Sequence, residues 1–343
     1  VPHPARPTVT LHDVAAAAGV SLSTASRVLN GSTRTVAPEY AEKVLAAAAA
    51  LRYTADASAR AMRRASDSIA LVADDLTTAS ISLVLAAMER EARSVDAFVT
   101  VASTGGTPSR QLETVRLMCA MRPRALVLTS SRLDTDLLQG RLLRELLAYQ
   151  RDGGRVVIFG DTDMPFDAIS VDNRASAAPV GSYLAKAGHR RVTIVAGAAD
   201  RANVSDRAVG FTDGLIAGGV DSDDIRLVHC DVSREGGFAA VAGLLAHGPL
   251  DTQALVCAND AIAIGAMSAL RAAGLRVPDE VSVTGFDDIP LATDVTPRLT
   301  TVAVPLARIG QDAIRLALGD HDEPRRTTEH GALVLRDSTR SRV

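Results

Sequence analysis

The chain contains no tryptophan, and its aromatic residues are four tyrosines and six phenylalanines among 343 residues. A ligand stacked on a ring therefore has few partners to choose from. Only three cysteines occur, Cys119, Cys230 and Cys257. They are far apart, odd in number and without metal-ligand spacing, so a disulfide framework and a metal site are not expected. Each lies in an apolar stretch and reads as a buried reduced thiol. No run is long and apolar enough to span a bilayer, so no membrane partner is expected. The opening VPHPARPTVT lacks the apolar centre of a signal peptide, which leads to an expected cytoplasmic location. No G-x-G-x-x-G follows the first candidate strand, and no P-loop is present. The seven histidines are scattered, with no Ser-His-Asp or Cys-His spacing, and the pair Gly105-Gly106 reads as a turn. These gaps argue against an enzyme: no catalytic residue, cofactor or metal ligand is assigned.

What is present begins at residues 10 to 30, TLHDVAAAAGVSLSTASRVLN. Thr10 and Asp13 have the spacing of a capping box at the start of a helix. Val14, Ala17 and Ala18 give that helix a small apolar face, and Gly19 supplies a turn position that tolerates positive φ. Val20 can plug the angle between two helices, and Ser21 caps the second. Ala25, Val28 and Leu29 then face inward, while Leu22, Ser23, Ser26 and Arg27 point out. A helix of this shape fits the DNA major groove, with its N-terminal residues at the base edges. A third helix is expected from about Pro38, a residue suited to the first helical position, with Val44, Leu45, Ala48 and Leu51 covering the first two. Residues 55 to 67 form a basic connector too short to be a stable isolated helix in water. Residues 1 to 66 carry eight Lys/Arg against four acids, a net +4, while the whole chain is −3, leaving −7 on the remainder. A basic head on an acidic body suits a polyanion-binding module attached to something else.

From Ile69 the pattern changes to strands alternating with helices. Candidate strands are 69–75, 97–103, 125–130, 155–161, 192–197, 226–232, 254–260 and 281–287. Near-continuous apolar strands separated by amphipathic helices imply parallel sheets covered on both faces. Several end in polar residues, among them Asp74, Asp161, Asn259, Asp260 and Asp287, and ligands of open α/β sheets bind at such carboxyl ends. Eight strands fit two α/β halves with a cleft between them better than one small sheet.

The motifs TLHDVAAAAGVSLSTASRVLNG, VAPEYAEKVLAAAAALRY, ARAM, GHRRVTIVAG, DRAVGF, ANDAIAIGAMSALRAAGLRVPDEVSVTGFDDIPLA and PRLTTVAVP run in one order along the chain. In them it resembles the LacI/GalR family of bacterial transcription regulators. The resemblance implies an all-α helix-turn-helix head at 8–55 and a hinge helix or linker at 56–67. It implies an effector-binding and dimerisation core at 68–343, like periplasmic binding proteins, built of two doubly wound parallel-sheet subdomains. Subdomain one would hold about 68–173 and 303–332, and subdomain two about 174–302 and 333–342, with crossovers near Asn173, Val302 and Leu333.

By the same resemblance Leu22, Ser23 and Arg27 read bases. Arg27 is suited to a guanine edge and Leu22 to apolar contact such as a thymine methyl. Thr10, Ser21, Thr24 and Asn30 are phosphate partners or caps. Arg60, Met62 and Arg63 would act in the hinge, with Met62 as an apolar wedge in the minor groove. The family often has Pro-Asn at the hinge entry, where this chain has Ala55-Asp56. In the cleft, Arg207, Asn259 and Asp287 would line an effector site. Asp161 and Arg201 are further candidates, and Phe286 is the candidate ring. Asp260 and Asp288 are read as caps or structural ion pairs. The loop LTTASIS (76–82) has no aromatic, and Val232 stands where the family often has a stacking ring. The implied function is a regulator, a repressor first, that binds a pseudo-palindromic operator as a homodimer. A small polar effector controls it, a sugar or related polyol before a nucleoside or purine. Without a leucine-heptad tail, a tetramer is not expected. A solute-binding protein of the periplasmic type is the competing class.

Overall fold

In the computed structural model, which describes residues 9–29, 36–51, 53, 66–129, 136–198 and 201–342, the chain divides into two units at Ser66/Asp67. The first unit has helices α1 (Leu11–Ala18), α2 (Leu22–Leu29) and α3 (Pro38–Ala50). Thr10 caps α1 in a reciprocal box: its Oγ1 accepts the Asp13 N–H at 3.4 Å, and the Asp13 carboxylate accepts the Thr10 N–H at 2.7 Å. Gly19 ends α1 at φ 65°, a left-handed position that costs glycine nothing. Ser21 Oγ accepts the Thr24 N–H at 3.1 Å and so caps α2. The small core is Val14, Ala15, Ala18, Ala25, Val44 and Ala48. Two expected core positions are not in it. Ala17 is exposed and Ala15 takes its place, because the turn of α1 carries Ala15, not Ala17, inward. Leu45 is exposed, one position round α3 from the buried Val44.

The second unit alternates β1 (Ser66–Ala73), α4 (Ala79–Arg93), β2 (Phe98–Ser103), α5 (Pro108–Ala120), β3 (Pro123–Thr129), α6 (Asp136–Arg151), β4 (Arg155–Phe159) and β5 (Asp167–Val171). The chain continues through α7 (Asn173–Lys186), β6 (Val192–Ala196), α8 (Ala202–Ala217), β7 (Ile225–His229), α9 (Arg234–Ala246), β8 (Ala254–Cys257), α10 (Asp260–Ala272) and β9 (Ser282–Thr284). It closes with α11 (Leu291–Asp294), β10 (Thr301–Ala303), α12 (Leu306–Leu318), β11 (Arg326–Glu329) and β12 (Ala332–Val334).

Two parallel sheets result. One has the order β11-β5-β4-β3-β1-β2 and the other β7-β6-β8-β9, and a two-stranded antiparallel ladder pairs Val302 of β10 with Leu333 of β12. Strand periodicity explains why both sheets are covered twice. In β1, Ile69, Leu71 and Ala73 pack with Val84 and Met88 of α4 and Ile309 of α12. The alternate Ala70 and Val72 pack with Val115 of α5 and Leu146 of α6. In the second sheet, Ile194 of β6 faces Phe211 and Leu215 of α8. Val195, Leu255 and Val283 face Val241 of α9 and Ile262 and Leu270 of α10.

The fold is therefore the expected one, a helix-turn-helix head and an α/β core of two parallel sheets. Four strands were not anticipated: β5, β10, β11 and β12. Of the thiols, only Cys257 is fully buried; Cys119 and Cys230 are half-buried, which corrects the expectation for those two. Burial still pushes both of these up to about 11, so neither is an activated thiolate. Among the described residues no helix is long and apolar enough to cross a membrane.

Candidate functional site

On the head, the outer face of α2 presents Leu22, Ser23 and Arg27, all exposed, while Ala25 beneath them is fully buried. Leu22 is an apolar side chain held 49% exposed at the first turn, a position that packing within this unit does not explain. The hydroxyls of the phosphate candidates are already in use. Thr10 donates to Asp13, and Ser21 lies 2.9 Å from both Ser23 Oγ and Thr24 Oγ1. A phosphate oxygen requires a donor, and the Thr10 proton already points at a carboxylate, so this residue acts here as a helix cap. Asn30, Arg60, Met62 and Arg63 lie outside the described residues.

In the core, a cavity of about 850 Å³ opens at the carboxyl ends of the strands of both sheets. Asp74 follows β1, Thr129 ends β3, Phe159 ends β4 and Asp161 follows it. Arg201 and Asn203 follow β6, Val232 follows β7, Asn259 follows β8 and Asp287 follows β9; all of these line the cavity. Five of the six candidate effector residues, Asp161, Arg201, Arg207, Asn259 and Asp287, are thus brought to one wall system.

Arg207 is its hub. It rises from the first turns of α8, only 8% exposed. Its Nε donates to Asn173 Oδ1 at 2.8 Å, and one terminal nitrogen donates to the Ala258 carbonyl at 2.8 Å. That nitrogen also lies 3.1 Å from Asp287 Oδ1. The guanidinium sits over the Phe286 ring, 3.9 Å from its centroid, and Phe211 meets that ring edge-on at 6.4 Å. Phe286 therefore does not line the cavity. It is fully buried and forms the floor on which Arg207 lies, which corrects its assignment as a ligand-facing ring. Among the described residues the aromatic side chain on the wall is Phe159, which lies inside the candidate strand 155–161 and had no role assigned. The mixed wall also includes Ser80, Asp163, Asp172, Asn173, Arg174 and Asp206, none of them a candidate effector residue from the sequence.

Asp287 has φ +110°, a backbone region that side chains other than glycine rarely occupy. Its N–H is held by the Val302 carbonyl at 2.9 Å. Burial pushes its carboxyl up, and Arg207 and the Ser80 hydroxyl pull in the opposite direction. Asp260, one step deeper, makes structural contacts. Its Oδ2 accepts the Ile289 N–H at 2.8 Å, and its Oδ1 accepts the Thr301 hydroxyl at 2.5 Å. Burial and the neighbouring Asp287 push it up to about 7. Asp288 pairs with Arg336 at 2.7 Å. Asn259 Oδ1 caps α10 through the Ile262 N–H at 2.9 Å, which leaves its amide nitrogen available to a guest. Such a constellation offers both donors and acceptors to a small molecule.

Residues 10–56 match the model of bacterial regulatory proteins, lacI family, and residues 182–339 match that of a periplasmic binding protein-like domain. The chain is 30% identical over 341 residues to the HTH-type transcriptional repressor PurR of Photobacterium profundum, covering 96% of this chain and 98% of that one. Among solved structures it superposes on the lac repressor dimer bound to operator and the anti-inducer ONPF with a TM-score of 0.78, at 26% identity over 97% of this chain and 99% of that one. It superposes on the CelR–cellobiose complex with a TM-score of 0.69, at 27% identity over 97% of this chain and 100% of that one. With the head motif, the two-sheet core and end-to-end similarity in agreement, the chain belongs to the lacI family of bacterial transcription regulators.

Proposed function

We propose that this protein is a transcriptional repressor that binds a pseudo-palindromic operator as a homodimer and responds to a small polar effector in the core cavity. The observation that carries the reading is the pairing, on one chain, of an exposed groove-reading face on α2 with a cavity organised by Arg207 and Asp287. Leu22, Ser23 and Arg27 read base edges, while Ser21, Thr24 and Asn30 contact or position the phosphate backbone. Two connectors supply Arg60, Met62 and Arg63 to the minor groove at the operator centre, where an apolar wedge favours a flexible pyrimidine–purine step. The protein acts by binding rather than by catalysis, and it works in the cytoplasm, where the operator is.

A sugar or polyol is the first choice of effector, since vicinal hydroxyls match the carboxylate, amide and guanidinium of Asp287, Asn259 and Arg207. A nucleoside is the second reading, favoured by Phe159, an aromatic side chain that lines the cavity wall. The similar CelR structure holds cellobiose, and the similar lac repressor is an operator-bound dimer; both support this assignment. The test is thermal melting of the protein against sugars, polyols, purines and nucleosides, each repeated with Asp287→Asn. A ligand that raises the melting temperature of the parent but not of the variant supports the effector site. Silence from every compound points to a repressor without an effector.

A further inference from the structure

Resting on the reading of the cavity as the effector site, we infer that its ligand is hydroxyl-rich and carries no phosphate or carboxylate, being either uncharged or an amine. Among the described residues, the cavity wall holds seven aspartates against three arginines. Two of those arginines are engaged within the protein. Arg207 is committed to Asn173, Ala258 and Asp287, and Arg174 pairs at 2.6 Å with Asp213, a residue outside the wall.

The acids also face one another. Asp161 follows β4 of the first sheet, and Asp206 projects from α8 on the second. Asp172 caps α7 between them, through the Ala175 N–H at 2.9 Å. Burial, together with Asp161 and Asp172, pushes the Asp206 carboxyl up, and Arg174 offsets part of this. Like charges held apart across a cleft are relieved by O–H donors or by an ammonium group, and aggravated by another anion.

Buried acceptors point the same way. Asn203 Oδ1 and Asp287 Oδ1 are buried wall atoms that receive no aligned hydrogen bond among the described residues, although Arg207 lies close to the latter. Asp287 is 3% exposed, and Arg207 and the Ser80 hydroxyl hold its carboxyl at the wall. An acceptor-rich, partly desolvated wall thus selects donors. A phosphorylated ligand would need a cluster of unengaged cations, which the described residues of the wall do not offer.

The experiment is melting and calorimetric titration of the full chain with matched probes. The sets are glucose, glucosamine and glucose 6-phosphate; ribose and ribose 5-phosphate; and adenosine and adenosine 5′-monophosphate. Each is repeated with Asp287→Asn and with the double variant Asp161→Asn/Asp206→Asn. The expected result is binding by an uncharged or amine probe, lost in Asp287→Asn, with its phosphorylated counterpart weaker by about tenfold or more. The double variant should narrow that gap. A phosphorylated probe that binds as well as or better than its parent, and depends on Asp287, overturns this inference while leaving the effector reading intact. Silence from all probes removes the effector reading itself, and the inference with it.

Discussion

Asp287 and Asp260 share one buried corner but have different duties. Asp287 faces the cavity on a backbone held at φ +110°, and Asp260 fixes that backbone from below through Ile289 and Thr301. A carboxyl raised to about 7 in the folded protein is ionised near 4 once unfolded. Between those values the folded state binds the extra proton, so its stability falls as pH rises from about 4 to about 7. Asp260→Asn keeps an acceptor for the Ile289 N–H, and its amide nitrogen, like the O–H of the protonated acid, meets the Thr301 hydroxyl as a donor once that hydroxyl turns to accept. The expected outcome is a melting temperature that declines less between pH 5 and 7 than in the parent; an unchanged slope would assign the pH dependence to another group. Much of this site was legible as residues. Strand-terminal acids and the Arg207 motif announced themselves because their chemistry sits where strands end. The ring was misread, since Phe286 and Phe159 both stand near strand ends and only packing decides which faces the cavity. Arg207 covers Phe286, and Phe159 is left on the wall.

Two elements carry the next arguments. On α2, Arg27 offers a fork of donors that fits a guanine edge, so Arg27→Ala is expected to cost about 1–3 kcal/mol of discrimination at one base pair. Binding to a set of single-substitution operators checks this; an equal loss on every sequence would instead identify a phosphate contact. In the core, α7 and α8 pack backbone to backbone. A Cβ added at Gly214 would fall inside contact distance of the Ala178 carbonyl oxygen, and one at Gly210 would do the same to that of Arg174. This closeness brings Arg207 on α8 to Asn173 on α7. Gly214→Ala should therefore destabilise the protein by about 1–3 kcal/mol through overpacking and weaken ligand binding through Arg207, as urea melts and titration would register. The elements read most easily were the strands buried on both faces, whose apolar runs are continuous, as in β3 and β6. The ones missed were β10 and β12, three residues each, and β11, whose sequence RTTE is polar because it closes a sheet edge. Strand β5 is half apolar and only five residues long, too brief for its period to show.

At the scale of the whole molecule, the head and the core are coupled as two binding equilibria. The head carries the basic excess and the core the acidic one, so operator affinity should fall steeply as salt rises, while binding of an uncharged effector changes little. That difference allows the two equilibria to be measured separately on one protein. If the effector prefers one arrangement of the core, it shifts operator affinity only by its differential affinity for the two arrangements. Linkage then requires the operator duplex to change effector affinity by the same factor and in the same sense, typically about 5- to 150-fold. The expected outcome is matching factors from two titrations: operator with and without saturating effector, and effector with and without saturating operator. An Asp287→Asn protein should still bind operator but show no effector-dependent shift, because its cavity no longer distinguishes the two arrangements. Intact binding at both ends with a factor of one in the parent would mean that the cavity and the head act independently, and would sink the regulatory reading while leaving the DNA-binding one in place.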